Sequence, residues 1–279
     1  MVDTVVEGFP MPTVAVNGVR LHYEVAGDGP PLLFVHGMCG RGAVWSGQVD
    51  LLSDAFMCVT YDRRGHGSSS DGDEPHTVAL HSDDFAALVR ALDLPPVVLV
   101  GSSGGARIGL DVLLRHSSLV AGAVLSEPPV FSLDPERGRE FMNTVVPAVQ
   151  PRLDAGDLRG AVDAFFEVVC PGLWRQLDEE GKEPYRNSGR MLVADLRQPS
   201  FTVTREDLAA IQLPLLAIAG TDSDAFLRTT PRVIAAEVPS ARLLELSQCG
   251  HVTYAEQPDA FADAVRTFAG SVFAGAPTG

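Results

Sequence analysis

Two hydrophobic patterns alternate along most of the chain. Short uninterrupted apolar runs, typical of strands buried on both faces, are separated by stretches in which apolar residues recur at helical spacing. Strands alternating with helices in this way predict an α/β fold, with a mostly parallel sheet covered by helices on both faces. The strand-length runs are residues 32–35, 56–61, 96–100, 120–126, 214–220 and 241–246.

The start of the chain follows a different pattern. Val19, Leu21, Tyr23 and Val25 alternate with polar residues, as in a strand with one buried face. This segment directly follows Asn17-Gly18, and Asn-Gly is the strongest two-residue signal for a hairpin turn. The sequence therefore predicts a pair of antiparallel strands before the parallel ones.

The alternation of strands and helices stops in the middle of the chain. Residues 128–207 contain no strand-length apolar run, but they contain amphipathic stretches. Because strand runs resume at residue 214, we interpret 128–207 as a helical cap inserted into one core domain formed by 1–127 and 208–279. A separate helical domain is the alternative interpretation. The amphipathic stretches are 140–149, 158–169 and 189–196.

One turn between a strand and a helix contains a candidate nucleophile. The apolar run ends at Gly101-Ser-Ser-Gly-Gly105, and a helical pattern starts directly afterwards, which is the context of a nucleophilic serine in Gly-x-Ser-x-Gly. The two outer glycines leave room for a strained central residue, so Ser103 is the candidate. The amide of Gly104 would face a developing oxyanion. A glycine-rich loop without chemistry is the alternative for this motif alone.

A nucleophilic serine needs a base, and the base needs an orienting acid. His251 is the candidate base, because it lies in a loop after the strand run 241–246 and follows the serine in the chain order Ser, acid, His. A second oxyanion donor is expected after the run 32–35, where the amide of Met38 follows His36-Gly37.

Composition and charge narrow the classes of partner. The formal net charge of −15 argues against nucleic acids and anionic membranes, which bind basic surfaces. No signal sequence is recognisable in residues 1–10, and no apolar segment reaches membrane-spanning length, so we expect a cytoplasmic protein. The cysteines show no metal-ligand spacing, and single buried thiols are expected. They are Cys39, Cys58, Cys170 and Cys249.

Several landmarks together resemble the α/β-hydrolase superfamily. The resemblance covers nearly the whole chain and implies an eight-stranded sheet, a variable helical cap over the site, and hydrolysis of an ester or related carbonyl bond. It implies no metal and no organic cofactor. The matching segments are His36-Gly37, Tyr61-Asp-Arg-Arg-Gly-His-Gly-Ser68, Gly101-Ser-Ser-Gly-Gly105, and Gly250-His251 followed by Glu256-Gln-Pro258. The loop from 62 to 68 is expected to be structural.

The orienting acid departs from the common pattern of that superfamily. The usual aspartate position, three residues after the glycine that ends strand seven, is Ser223 here. Asp222 and Asp224 flank it, and either could reach His251 if the turn differs by one residue. The other placement known in the superfamily follows strand six, where Glu127 precedes two prolines. These three carboxylates remain open as candidates, with Glu127 preferred.

The expected activity is that of a serine hydrolase acting on a small, moderately apolar ester, as a monomer or homodimer. Similar folds also cleave carbon–carbon bonds, open lactones, catalyse perhydrolysis or close rings in biosynthesis. A ligand receptor without hydrolytic activity is the alternative outside the enzymes. The resemblance leaves these alternative activities open.

Overall fold

The computed structural model describes residues 12–275 and places the strands in one eight-stranded sheet. The strands are β1 Thr13–Val16, β2 Val19–Ala26, β3 Pro31–Val35, β4 Met57–Tyr61, β5 Val97–Ser102, β6 Val120–Ser126, β7 Leu215–Gly220 and β8 Ala241–Leu246. They lie in the order β1-β2-β4-β3-β5-β6-β7-β8. The pairs β1–β2 and β2–β4 are antiparallel, and the remaining pairs are parallel. The predicted α/β fold with a mostly parallel sheet is confirmed.

Helices cover both faces of the sheet. They are α1 Ser46–Leu52, α2 Val78–Ala91, α3 Gly104–Arg115, α4 Pro135–Asp154, α5 Leu158–Val169, α6 Pro171–Gln176, α7 Glu179–Arg186, α8 Gly189–Leu196, α9 Arg205–Ala210, α10 Ala225–Glu237, α11 Thr253–Glu256 and α12 Pro258–Gly275. Successive residues of β5 enter opposite cores, as period-two geometry requires. Val97 and Leu99 pack in the core on one face, and Val98 and Val100 pack in the core on the other face.

The helices from α4 to α9, which we name the inserted helices, lie between β6 and β7 in the chain. These two strands pair directly with each other, with Ser126 opposite Ile218, so the chain leaves the sheet and returns beside the strand it left. The bounds of α5 and α8 equal the predicted amphipathic stretches. Helix α4 is longer than the predicted stretch at both ends: Pro135 and the Asp134 cap begin it earlier, and it continues to Asp154.

The predictions about a signal sequence, membrane spans and cysteines have different outcomes. The expected lack of a signal sequence concerns residues 1–10, which lie outside the described residues. Within residues 12–275, no helix is both long enough and apolar enough to cross a bilayer. All four cysteines are buried and free, as predicted for single thiols.

Candidate active site

Ser103 occupies the turn between β5 and α3. Its backbone has a φ of 54° and a ψ of −122°, a conformation that costs energy for a residue with a side chain. A Cβ on Gly101 would lie 2.8 Å from the carbonyl oxygen of Gly105, and a Cβ on Gly105 would lie 2.0 Å from that of Val35. Both outer glycines of the motif are therefore required by close backbone packing.

His251 and Glu127 meet at the carboxyl edge of the sheet. Glu127 follows the last residue of β6, and His251 lies in the loop between β8 and α11. The Nδ1 atom of His251 lies 2.7 Å from Oε2 of Glu127, and both side chains are buried. Because the carboxylate accepts a hydrogen bond, Nδ1 carries the proton and Nε2 of the neutral ring is left as the basic atom.

Further donors fix the carboxylate of Glu127 in place. The amide of Gly220, at the end of β7, donates to Oε1 at 2.7 Å. The hydroxyl of Ser223 donates to Oε2 at 2.6 Å. Ser223 occupies the usual aspartate position of the resembled superfamily, so a hydroxyl here supports a carboxylate that comes from the neighbouring strand.

The other two acid candidates lie elsewhere. Asp222 is exposed, and its Oδ1 accepts a hydrogen bond from the Thr221 hydroxyl at 3.0 Å. Asp224 caps α10 by accepting from the amide of Phe226 at 2.8 Å. Neither forms a hydrogen bond or an ion pair with His251 among residues 12–275. The geometry therefore favours Glu127 over Asp222 and Asp224.

One side chain binds the loop that carries His251 on both sides of the histidine. Glu256, on α11, accepts hydrogen bonds from the amides of Gly250 at 2.8 Å and Val252 at 3.2 Å. These two residues flank the histidine, so the short helix fixes the position of its backbone. Glu256 begins the last segment that matches the superfamily, and these hydrogen bonds give it a structural role.

The proposed oxyanion donors lie next to the serine. A Cβ on Gly104 would lie 3.5 Å from the amide nitrogen of Met38, and a Cβ on Gly37 would lie 3.2 Å from Cβ of Ser103. Met38 and Gly104 therefore adjoin one small space beside the serine. The Ser103 hydroxyl forms no hydrogen bond with His251 in the described part of the chain. Such contacts are commonly long before a substrate binds.

Ser103 and His251 line two cavities. The smaller, about 50 Å³, is mostly apolar and is walled by Phe165, Phe166 and Trp174 of the inserted helices. The larger, about 270 Å³, has both apolar and polar walls. A group bound at the serine can therefore extend in two directions. Within residues 12–275, no group of three or more histidine, cysteine or acidic side chains is arranged to hold a metal ion.

Comparison with known proteins identifies the family. The model of the alpha/beta hydrolase family matches residues 32–264. The chain belongs to this family. The expectation drawn from the sequence landmarks is thereby confirmed, and the protein is a hydrolase.

Individual relatives of this alpha/beta hydrolase differ in their named activities. An uncharacterized hydrolase, YraK, of Bacillus subtilis is 38% identical over 43% of this chain, and the match spans 45% of that relative's length. A putative carbamate hydrolase, RutD, of Rhizobium rhizogenes is 29% identical over 89% of this chain and 97% of its own. The crystal structure of the esterase RhEst1 from Rhodococcus sp. aligns with a TM-score of 0.77 at 25% identity, covering 93% of this chain and 98% of that chain.

A buried polar cluster that the sequence did not reveal lies beside the loop after β3 of the hydrolase. The guanidinium of Arg63 donates to Oδ2 of Asp195 at 3.0 Å and to the carbonyl oxygen of Gly37 at 3.1 Å. Its backbone amide donates to Nε2 of His36 at 3.0 Å. Arg63 therefore ties the loop after β3 to α8. The loop from 62 to 68 is structural in this sense, as expected.

Burial and the charge of Arg63 determine which side chains of this cluster are ionised. Burial and the Arg63 charge lower the pKa values of His36 and His81 well below the ordinary 6.5, so both rings are neutral. Burial raises the pKa of Asp195, but the charge of Arg63 outweighs it and holds that pKa well below its usual range. Asp195 is therefore ionised and paired with Arg63.

Proposed function

We propose that Ser103, His251 and Glu127 form a catalytic triad that hydrolyses an ester or related carbonyl bond of a small, moderately apolar substrate. The observation that carries this proposal is the 2.7 Å contact between Glu127 and His251, at a histidine that shares its cavities with Ser103. The chain order of nucleophile, acid and base is that of the triad in α/β-hydrolases.

Each residue has a defined task in the proposed reaction. Oγ of Ser103 attacks the carbonyl carbon while Nε2 of His251 takes the hydroxyl proton. The amides of Met38 and Gly104 stabilise the oxyanion that results. When the bond between the carbonyl carbon and the alcohol oxygen breaks, His251 gives its proton to the leaving alcohol.

Water completes the cycle. A water molecule adds to the acyl carbon and gives its proton to Nε2 of His251, and the bond to Oγ then breaks as Ser103 takes that proton back. The products are a carboxylic acid and an alcohol. Glu127 stabilises the imidazolium in both halves, since its carboxylate has no permanent cation as a partner among residues 12–275.

The walls of the cavities support a substrate with apolar parts. The inserted helices supply aromatic and aliphatic side chains to both cavities, and we propose that they form the cap expected from the sequence. The esterase RhEst1 and the putative carbamate hydrolase RutD are consistent with cleavage at a carbonyl group next to oxygen or nitrogen.

Labelling with a fluorophosphonate tests the activated serine directly. We expect the wild-type chain to gain one probe mass at Ser103, and Ser103→Ala and His251→Ala to gain none. Ser102→Ala is the matched control and should still be labelled. Labelling elsewhere, or no labelling of the folded protein, would contradict the proposal. A panel of esters, lactones and carbamates then separates the reaction classes.

A further inference from the structure

Arg107 places a positive charge in the wall of the larger cavity. It lies one helical turn after Ser103 on α3, and its amide donates to the carbonyl oxygen of Ser103 at 3.0 Å. Residues four apart lie on the same face of a helix. The side chain of Arg107 lines the same cavity as Ser103 and His251.

The charges around Arg107 do not cancel. Asp195 is paired with Arg63, and its second oxygen accepts from the side-chain nitrogen Nε2 of Gln198 at 2.6 Å. The Nη2 atom of Arg107 donates to the side-chain oxygen Oε1 of the same Gln198 at 3.0 Å, and this side chain is neutral. Within residues 12–275, no carboxylate forms an ion pair with Arg107. After Arg63 and Asp195 have neutralised each other, one positive charge is left at the cavity wall.

The guanidinium also has an unused donor. Its Nε atom is buried and has no hydrogen-bond partner in the described part of the chain. Burial lowers the pKa of Arg107, a sign that the surrounding protein does not offset the loss of hydration. If Arg107 only held Gln198, a neutral side chain would serve that purpose at a lower cost. An anion that enters the cavity would balance the charge of the guanidinium, because Arg107 lines the cavity wall.

We propose that Arg107 is a specificity-determining residue that binds a carboxylate group of the substrate. The substrate class is then an ester with a free carboxylate at the end of a short chain, an inference that rests on the proposed function. Arginine suits this task because its planar guanidinium matches the geometry of a carboxylate. Apolar side chains of the same cavity would contact the methylene groups in between, including Phe131, Phe141 and Val145.

Two pairs of esters test the charge preference on both sides of the scissile bond. Monomethyl glutarate carries the carboxylate on the acyl side, and 4-acetoxybutanoate carries it on the alcohol side. Each is compared with the carboxamide of nearly the same shape, so that only the charge differs. Hydrolysis is followed by titration of released acid, and kcat/KM is measured for the wild type, Arg107→Gln and Arg197→Gln. Arg197 is exposed next to α8 and provides the matched loss of charge.

In at least one pair, the wild type should prefer the carboxylate over the carboxamide by about 10- to 150-fold, the range for a hydrogen bond to a charged group. Arg107→Gln should abolish this preference, and Arg197→Gln should retain it. Equal rates for carboxylate and carboxamide in both pairs, or a preference that survives in Arg107→Gln, would overturn the proposal.

A binding experiment separates this inference from the proposed function. In the Ser103→Ala background, calorimetry should detect tighter binding of the preferred carboxylate ester than of its carboxamide, and Arg107→Gln should remove the difference. Charge-selective binding without turnover by the wild type would support the role of Arg107 and refute hydrolysis. Turnover of all four esters without charge selectivity would support hydrolysis and refute the role of Arg107.

Discussion

Two buried carboxylates lie near Ser103, and their partners differ in kind. Glu127 accepts hydrogen bonds from an amide, a hydroxyl and a histidine ring, none of which carries a permanent charge. Asp195 accepts from the guanidinium of Arg63, whose charge is permanent. The first comes from the end of a strand, and the second comes from an inserted helix.

This difference separates the carboxylate that we propose as catalytic from one that is buried but already paired. The charge of Asp195 is already neutralised, so Asp195 serves to hold α8 against the loop after β4. The charge of Glu127 has no such partner, and in the proposed reaction His251 supplies one when it takes up the proton of Ser103. That is the change that a base undergoes when it activates a nucleophile.

The largest expected effect follows from removing the charge of Glu127. In Glu127→Gln, the amide no longer stabilises the imidazolium and can impose the wrong tautomer on His251. We expect kcat on the best ester substrate to fall by about 10⁴-fold. The measurement is steady-state hydrolysis, with Glu140→Gln on the exposed face of α4 as the matched control.

Asp222→Asn sharpens the same comparison. The side chain of Asp222 is exposed and contacts Thr221, so this variant should keep a rate close to that of the wild type. A large loss in Asp222→Asn together with a small loss in Glu127→Gln would reverse the assignment of the acid.

Removing the charge of Asp195 should affect stability more than chemistry. In Asp195→Asn, Arg63 is left buried without an anionic partner, and the free energy of unfolding should decrease by about 3–5 kcal/mol. Urea denaturation measures this change. Asp50→Asn, at an exposed position of α1, is the matched control. A loss below about 1 kcal/mol would mean that the Arg63–Asp195 pair does not hold the inserted helices in place.

The sequence predicted the sheet well because its strands are buried on both faces and read as plain apolar runs. Helices α6 and α7 were not predicted. They are short and contain Gly172, Gly181 and Pro184, which weaken any local helical signal. Their stability comes from tertiary packing, such as the stacking of Trp174 on Phe166 with ring centroids 4.6 Å apart.

The candidate site was predictable where the residues lie in local motifs. Ser103 and His251 could be found from the sequence around them, whereas the choice of Glu127 needed the geometry of β6 and β7. Arg63 and Asp195 are 132 positions apart in the sequence, and no local sequence pattern predicts a contact between them. Arg107 had one usable signal, its spacing of four residues after Ser103 on a helix.

The smallest expected change in stability concerns a single histidine beside Arg63. The pKa of His81 in the folded state lies well below 6.5, so the unfolded chain takes up a proton below about pH 6.5 that the folded chain does not. Stability should therefore fall with decreasing pH in this range. Replacement by glutamine retains an acceptor for Arg63 but does not titrate. In His81→Gln, this pH dependence should weaken by up to about 1.4 kcal/mol per pH unit.

Denaturation curves at pH 8 and pH 5 measure that difference. The curves at pH 8 give the cost of the substitution itself, because His81 is neutral in both the folded and the unfolded chain there. An unchanged pH dependence in His81→Gln would show that this ring accepts a proton inside the folded protein. The permanent charge of Arg63 would then fail to exclude a second positive charge from its surroundings. The contrast with Glu127, whose hydrogen-bond donors carry no permanent charge, would lose its basis.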